Sequence, residues 1–87
     1  MYYVYLLQSM VDKTFYVGYS SDLKARIARH NQGLSTYTSN KRPWKLIYYE
    51  SYLAEKDAKA REQKLKHHGK AYTQLLTERL VNSLNEG

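Results

Sequence analysis

The stretch Tyr16-Val17-Gly18-Tyr19-Ser20-Ser21-Asp22-Leu23 carries the chain from one kind of regular structure into another. Phe15 to Tyr19 is aromatic and β-branched, the composition of a strand. Ser20 or Ser21 then offers a side-chain oxygen to cap a helix, with Asp22 in the first turn, where an acid is favoured. The helix is expected to run to about Asn31, with Gly33 as its terminator. At ~100° per residue, Leu23, Arg26, Ile27 and His30 share one arc. Leu23 and Ile27 should face a sheet, Arg26 and His30 should border that buried stripe, and Lys24 and Arg29 should point away.

Upstream, Tyr2 to Gln8 reads as a first strand, and Ser9-Met10-Val11-Asp12-Lys13 as the turn of a hairpin. A turn centred between Met10 and Val11 sets Tyr5 opposite Tyr16 and Tyr3 opposite Gly18. Opposed residues share a face with Cβ atoms ~5 Å apart. Downstream, Ser35 to Arg42 is polar and reads as an exposed loop, and Trp44 to Glu50 as a third strand. Ala54 to about His67 reads as a helix whose stripe is Ala54, Ala58 and Leu65, with Glu62 beside it. The pair His67-His68 ahead of Gly69 marks its end. Ala71 to Leu84 reads as a last helix with Tyr72, Leu75, Leu76, Leu80 and Leu84 on one side, packed on the domain or turned to a second copy. The order is ββαβαα: an α+β fold, a three-stranded sheet flanked by helices.

Eighty-seven residues leave room for one domain, expected to span 1–87. There is no cysteine, hence no disulfide and no thiolate chemistry. The apolar start is too short for a signal peptide, and no apolar run approaches the ~20 residues of a membrane span. A soluble cytoplasmic protein is expected, monomer ahead of dimer. The net charge of +6 is uneven: Lys24 to Lys70 holds 12 Lys+Arg against 4 Asp+Glu. A basic middle with Tyr37, Trp44, Tyr48 and Tyr49 nearby points to a polyanion partner, against the blander reading of a solvated basic surface.

The order of these residues resembles the GIY-YIG nuclease family. The first motif is Tyr3-Val4-Tyr5 and the second Tyr16-Val17-Gly18. Ser20, Asp22-Leu23, Arg26 and His30 fill the places that follow, and Asn31-Gln32-Gly33 resembles the His-Asn-x-Gly ending. Lys41-Arg42-Pro43-Trp44-Lys45-Leu46 and Tyr48-Tyr49-Glu50 are similar to the third-strand segment of small bacterial members. Ala58-x-x-x-Glu62-x-x-Leu65-Lys66 is similar to the helix that bears the metal carboxylate. The resemblance runs from Tyr2 to about Leu76. Two positions depart from the pattern: Tyr3 stands where the signature has glycine, and Tyr19 where some members carry a basic residue.

The resemblance implies a Mg²⁺- or Mn²⁺-dependent endonuclease on nucleic acid, DNA ahead of RNA, directed by shape or structure. It implies that Tyr5 and Tyr16 flank the attacking water and the phosphate, either one being the base. Arg26 offers a bidentate fork for phosphoryl oxygens, Glu62 is the metal ligand, and His30 orients a phenol or contacts phosphate. Arg29, Lys41, Arg42, Lys45, Lys59 and Lys66 are the phosphate-contacting bases. Plainer roles stand beside these: Tyr5 and Tyr16 as core, Arg26 paired with Asp22, Glu62 paired with Lys66. Two other functions stay open, a nucleic-acid-binding module with little or no turnover and an interaction domain using its last helix.

Overall fold

A computed structural model describes residues 1–35 and 38–67, together with Leu75 and Glu78. The strands are β1 (Tyr2–Ser9), β2 (Phe15–Ser20) and β3 (Trp44–Tyr52), and the helices are α1 (Leu23–Asn31) and α2 (Glu55–His67). They form an antiparallel sheet of order β2-β1-β3, so β1 is central and β2 and β3 are the edges. The α+β class holds. The expected last helix, from Ala71 to Leu84, lies outside the described residues apart from Leu75, which is buried in the core, and Glu78, which pairs with Arg61.

The alternation of β1 builds two cores, one on each face. Val4 and Leu6 join Val17, Tyr48, Ala58, Leu65 and Leu75 beneath α2. Tyr5 and Leu7 join Trp44, with Tyr16, Leu23, Ile27 and Leu46 packed around them beneath α1. β1 is therefore apolar on both faces, as a central strand between two helical layers must be. A bulge in β3 opposite Leu6 and Leu7 lets the consecutive Ile47 and Tyr48 both join the α2-side core. Burying a leucine such as Leu6, Leu7 or Leu65 contributes roughly 1.5–3 kcal/mol.

The hairpin register differs from the expected one by two residues. Tyr5 lies opposite Gly18, Leu7 opposite Tyr16 and Tyr3 opposite Ser20. The turn is longer than assumed: Ser9 N–H donates to the Thr14 carbonyl at 2.8 Å, and Lys13 takes a left-handed φ of 66°. A shift of two preserves the face, so Tyr5 and Tyr16 remain on the same side, now as diagonal neighbours.

The cap of α1 is Asp22 itself, whose carboxylate accepts from the Ala25 N–H at 3.1 Å, and neither Ser20 nor Ser21. Ser20 instead closes a turn one step earlier, its Oγ accepting from the Asp22 N–H at 3.0 Å. At the other end Gly33 has φ of 78°, with its N–H on the His30 carbonyl and the Leu34 N–H on the Arg29 carbonyl. That is a Schellman closure, which favours glycine at this position.

The segment after α1 is not simply an exposed loop. Thr38 is fully buried, and Ser39–Lys41 makes one turn of 3-10 helix leading into β3. Asn31 ties this return to α1: its side chain accepts from the Trp44 N–H at 2.6 Å and donates to the Trp44 carbonyl at 3.1 Å. An amide side chain thus acts as a backbone partner for the first residue of β3.

Candidate active site

Tyr5 projects from the central strand across Gly18 of β2. A Cβ added at Gly18 would overlap the Tyr5 hydroxyl and lie 2.6 Å from its Cζ. The glycine is needed for this crossing. It lets a phenol rooted in mid-sheet reach toward the outer edge of β2. Tyr16 lies alongside, its ring centroid 6.4 Å from that of Tyr5 and 4.9 Å from the His30 ring. His30 comes down from α1 and is 2% exposed, like Tyr5. The helix arc put His30 at the border of the stripe; the structure puts it inside.

The Tyr5 hydroxyl is 3.0 Å from His30 Nε2, and His30 Nδ1 is 2.8 Å from Thr38 Oγ1. Thr38 Oγ1 donates in turn to the Ser35 carbonyl at 3.4 Å. The Trp44 indole N–H holds the Thr38 carbonyl at 2.9 Å, while its ring packs edge-on to Tyr16 at 6.3 Å. Arg26, exposed on α1, stands near enough for its charge to act on the Tyr5 hydroxyl.

Glu62 arrives from the other layer. Its helix packs on the opposite face, yet its charge helps to raise the Tyr5 phenol, and Lys66 links it to the Tyr16 ring. It is 8% exposed, and Lys66 Nζ stands 3.4 Å from its Oε2 and 5.7 Å from the Tyr16 ring centroid. Tyr5, Tyr16, Arg26, His30 and Glu62 are thus brought together, and Lys66, read as a peripheral base, joins them. The hollow is more closed than the sequence implied: two rings and the carboxylate are buried, with Arg26 and Lys66 exposed at its rim.

The electrostatics follow from that burial. Burial pushes the Tyr5 phenol well above its ordinary value; Tyr16 and Glu62 push the same way, and Arg26 pulls against them. Burial, then the charges of Arg26 and Arg29, hold His30 below its ordinary 6.5. Tyr5 is a neutral phenol and His30 a neutral imidazole at physiological pH.

The other basic residues are spread out. Lys59 lies over the Tyr19 ring at 5.9 Å, and Lys45 and Arg29 are exposed. Lys41 pairs with Asp12 at 3.3 Å on the hairpin loop. Arg42 lies against Gly33 and donates to the Ser39 carbonyl at 2.9 Å. These last two sit with the loops. Tyr3 packs edge-on to Tyr49 at 6.0 Å and lines an open cleft of about 500 Å³ with Leu23, Ile27 and Leu46.

Thr38 was not legible beforehand. It is one hydroxyl residue in a polar run, with no periodicity to tie it to His30. Arg61 was also missed. It bridges Glu50 and Glu78 at 2.8 Å each, beneath the hydroxyls of Tyr48 and Tyr52, which donate to Glu50. In a basic helix it looks like any surface arginine.

Among the described residues no cluster of three or more His, Cys, Asp or Glu could cage a metal ion. A single buried carboxylate fits a hard ion that keeps most of its waters and shares the substrate's phosphate, as Mg²⁺ does.

A β-hairpin whose central phenol crosses a glycine, a helix supplying arginine and histidine, and a second helix supplying a glutamate make up the candidate site. Residues 1–77 match the GIY-YIG catalytic domain, and the chain belongs to that nuclease family. Its relatives include a UPF0213 protein of Lacticaseibacillus paracasei, 39% identical over 67 residues, covering 76% of this chain and 74% of the relative. A UPF0213 protein of Streptococcus pyogenes is 44% identical over 61 residues, 69% of this chain and 65% of the relative. The solution NMR structure of a UPF0213 protein from Bacillus halodurans superposes with a TM-score of 0.55 at 29% identity, covering 90% of this chain and 84% of that one. Among the described residues no helix is long and apolar enough to cross a membrane.

Proposed function

We propose that the protein is a divalent-metal-dependent endonuclease that hydrolyses phosphodiester bonds in DNA. It acts on branched or interrupted strands of the kind that repair and recombination produce. The observation that carries this is the meeting of Tyr5, Tyr16, Arg26, His30 and Glu62, drawn from both helical layers, at one edge of the sheet. The scattered exposed bases support recognition by shape, since phosphate contacts position nucleic acid without reading its sequence.

Arg26 grips the non-bridging oxygens with a planar fork. Glu62 would hold Mg²⁺ or Mn²⁺, which supplies charge neutralisation at the scissile phosphate. Lys66 moves off Glu62 when the site loads. Tyr5 is the proton acceptor, and it works without becoming a phenolate. As its oxygen takes a proton from the attacking water, its own proton passes to His30 Nε2. The water oxygen bonds to phosphorus, the bond to the leaving strand oxygen breaks, and that oxygen is protonated from solvent. His30 then returns its proton to solvent. Tyr16, half-buried beside them, walls the water in.

The test is nicking of branched, single-stranded and duplex DNA with Mg²⁺ or Mn²⁺, with Arg26→Ala and Glu62→Ala as controls. Cleavage that disappears in both variants is expected. Cleavage that survives both rules the proposal out. The competing reading, a binding module without turnover, draws on the burial of Tyr5, His30 and Glu62. Tight, salt-sensitive binding with no cutting in any metal supports it instead.

A further inference from the structure

The hydrogen bonds behind Tyr5 form a line with one fixed end, the Ser35 carbonyl, which can only accept. Before it stand Tyr5, His30 and Thr38, each able to give one proton and take one. Thr38 gives its proton to Ser35, so its oxygen accepts from His30 Nδ1–H, and Nε2 is left to accept from the Tyr5 hydroxyl. The opposite tautomer would turn the Thr38 proton onto Nδ1 and give up its bond to Ser35, and it would leave the proton of Tyr5, itself 2% exposed, to find another acceptor.

We infer that Thr38 is the positioning residue of the site: its hydroxyl holds the proton of His30 on Nδ1, so that Nε2 faces Tyr5 as an acceptor. This inference rests on the nuclease reading for its consequence, though not for its geometry. Thr38 is suited to the task because its backbone is tied on both sides. It is fully buried, its N–H reaches the Ser35 carbonyl at 3.2 Å, and its carbonyl is held by the Trp44 indole at 2.9 Å. With Nε2 as acceptor, the Tyr5 proton is committed backward, and the phenol oxygen turns acceptor toward a water on its other side. The tautomer thus decides whether Tyr5 can take a proton from the nucleophile or only offer one.

The experiment is long-range ¹H–¹⁵N correlation on protein labelled in histidine, assigned with His30→Gln, alongside kinetics of DNA cleavage. The wild type is expected to show His30 as the Nδ1–H tautomer. Thr38→Val should lose that preference and lower kcat by about 10- to 100-fold, the range seen when a histidine loses its orienting partner, with KM for DNA little changed. Thr38→Ser should restore both. A wild-type His30 protonated on Nε2 overturns the inference, as does a folded Thr38→Val with unchanged kcat. If Thr38→Val does not fold, the wild-type tautomer and the Thr38→Ser kinetics still decide. Should no DNA be cut under any condition, the nuclease reading falls, while the ¹⁵N shifts still report whether Thr38 sets the tautomer.

Discussion

The two faces of the sheet each bury phenols among polar groups, and they do so in opposite ways. On the α2 side, Glu50 accepts from Tyr48, Tyr52 and Arg61, and Arg61 also holds Glu78. This network is ionised and closed: burial alone would raise Glu50, but the hydrogen bonds from Arg61 and both phenols outweigh it and hold its pKa below the usual 4.5. Burial and the Glu50 carboxylate drive Tyr52 up to about 12, and Tyr48 higher still. On the α1 side, the Tyr5–His30–Thr38 line is neutral and directional. One arrangement ties β3 to α2; the other leaves a phenol poised at the edge of the sheet. Charge that is saturated with partners stabilises a fold, whereas a neutral line with defined polarity can move a proton.

Breaking the closed network should give the largest effect on stability. Glu50→Ala strands Arg61 with Glu78 alone, and about 2 kcal/mol should be lost, within the range for hydrogen bonds to a charged group. Chemical denaturation measures this, and kcat below the melting range should be unchanged. Breaking the open line should do the reverse. Tyr5→Phe removes the relay and should lower kcat by about 100-fold or more, with a stability change near 1 kcal/mol. If Glu50→Ala and Tyr5→Phe damage stability and turnover alike, the division between the faces is wrong.

Gly18→Ala puts a methyl group into the Tyr5 ring. It should cost about 1–3 kcal/mol by overpacking and displace Tyr5 from His30, so turnover should fall as well. Acid separates the two networks by pH. His30 is depressed in the folded state, so the unfolded chain binds its proton first. Its stabilisation is complete above 6.5 and is lost as pH falls below that. Glu50 follows the same sign lower down, its contribution complete above 4.5 and lost as pH falls through its depressed value. Denaturation curves against pH should show both limbs, the upper absent in His30→Gln and the lower absent in Glu50→Gln. The smallest effect is expected from Lys66→Ala. It frees Glu62 of an ion pair whose lysine is exposed, and the Mg²⁺ concentration for half-maximal cleavage should fall about twofold.

The sequence made the sheet, both helices and their stripes readable because each rests on local periodicity. The 3.6-residue period placed Leu23, Ile27, Ala58 and Leu65 inward, and the aromatic runs marked the strands. Register was not readable, since the hairpin loop carries no Asn-Gly or Asp-Gly pair to set its length. The site's chain order was readable through Tyr5, Tyr16, Arg26, His30 and Glu62. Thr38 and Arg61 were not, because each acquires its meaning from partners far along the chain: Thr38 from His30 and Trp44, Arg61 from Glu50 and Glu78. Lys41 and Arg42 show the converse. As members of a basic run they resemble phosphate contacts, but one sits on Asp12 and the other on Gly33.

The phenols and the acid of this site come from separate layers of the fold. A nascent or damaged chain with either helix undocked holds at most part of the set. Such a chain cannot assemble the site, so the site's chemistry waits on the docking of both helices.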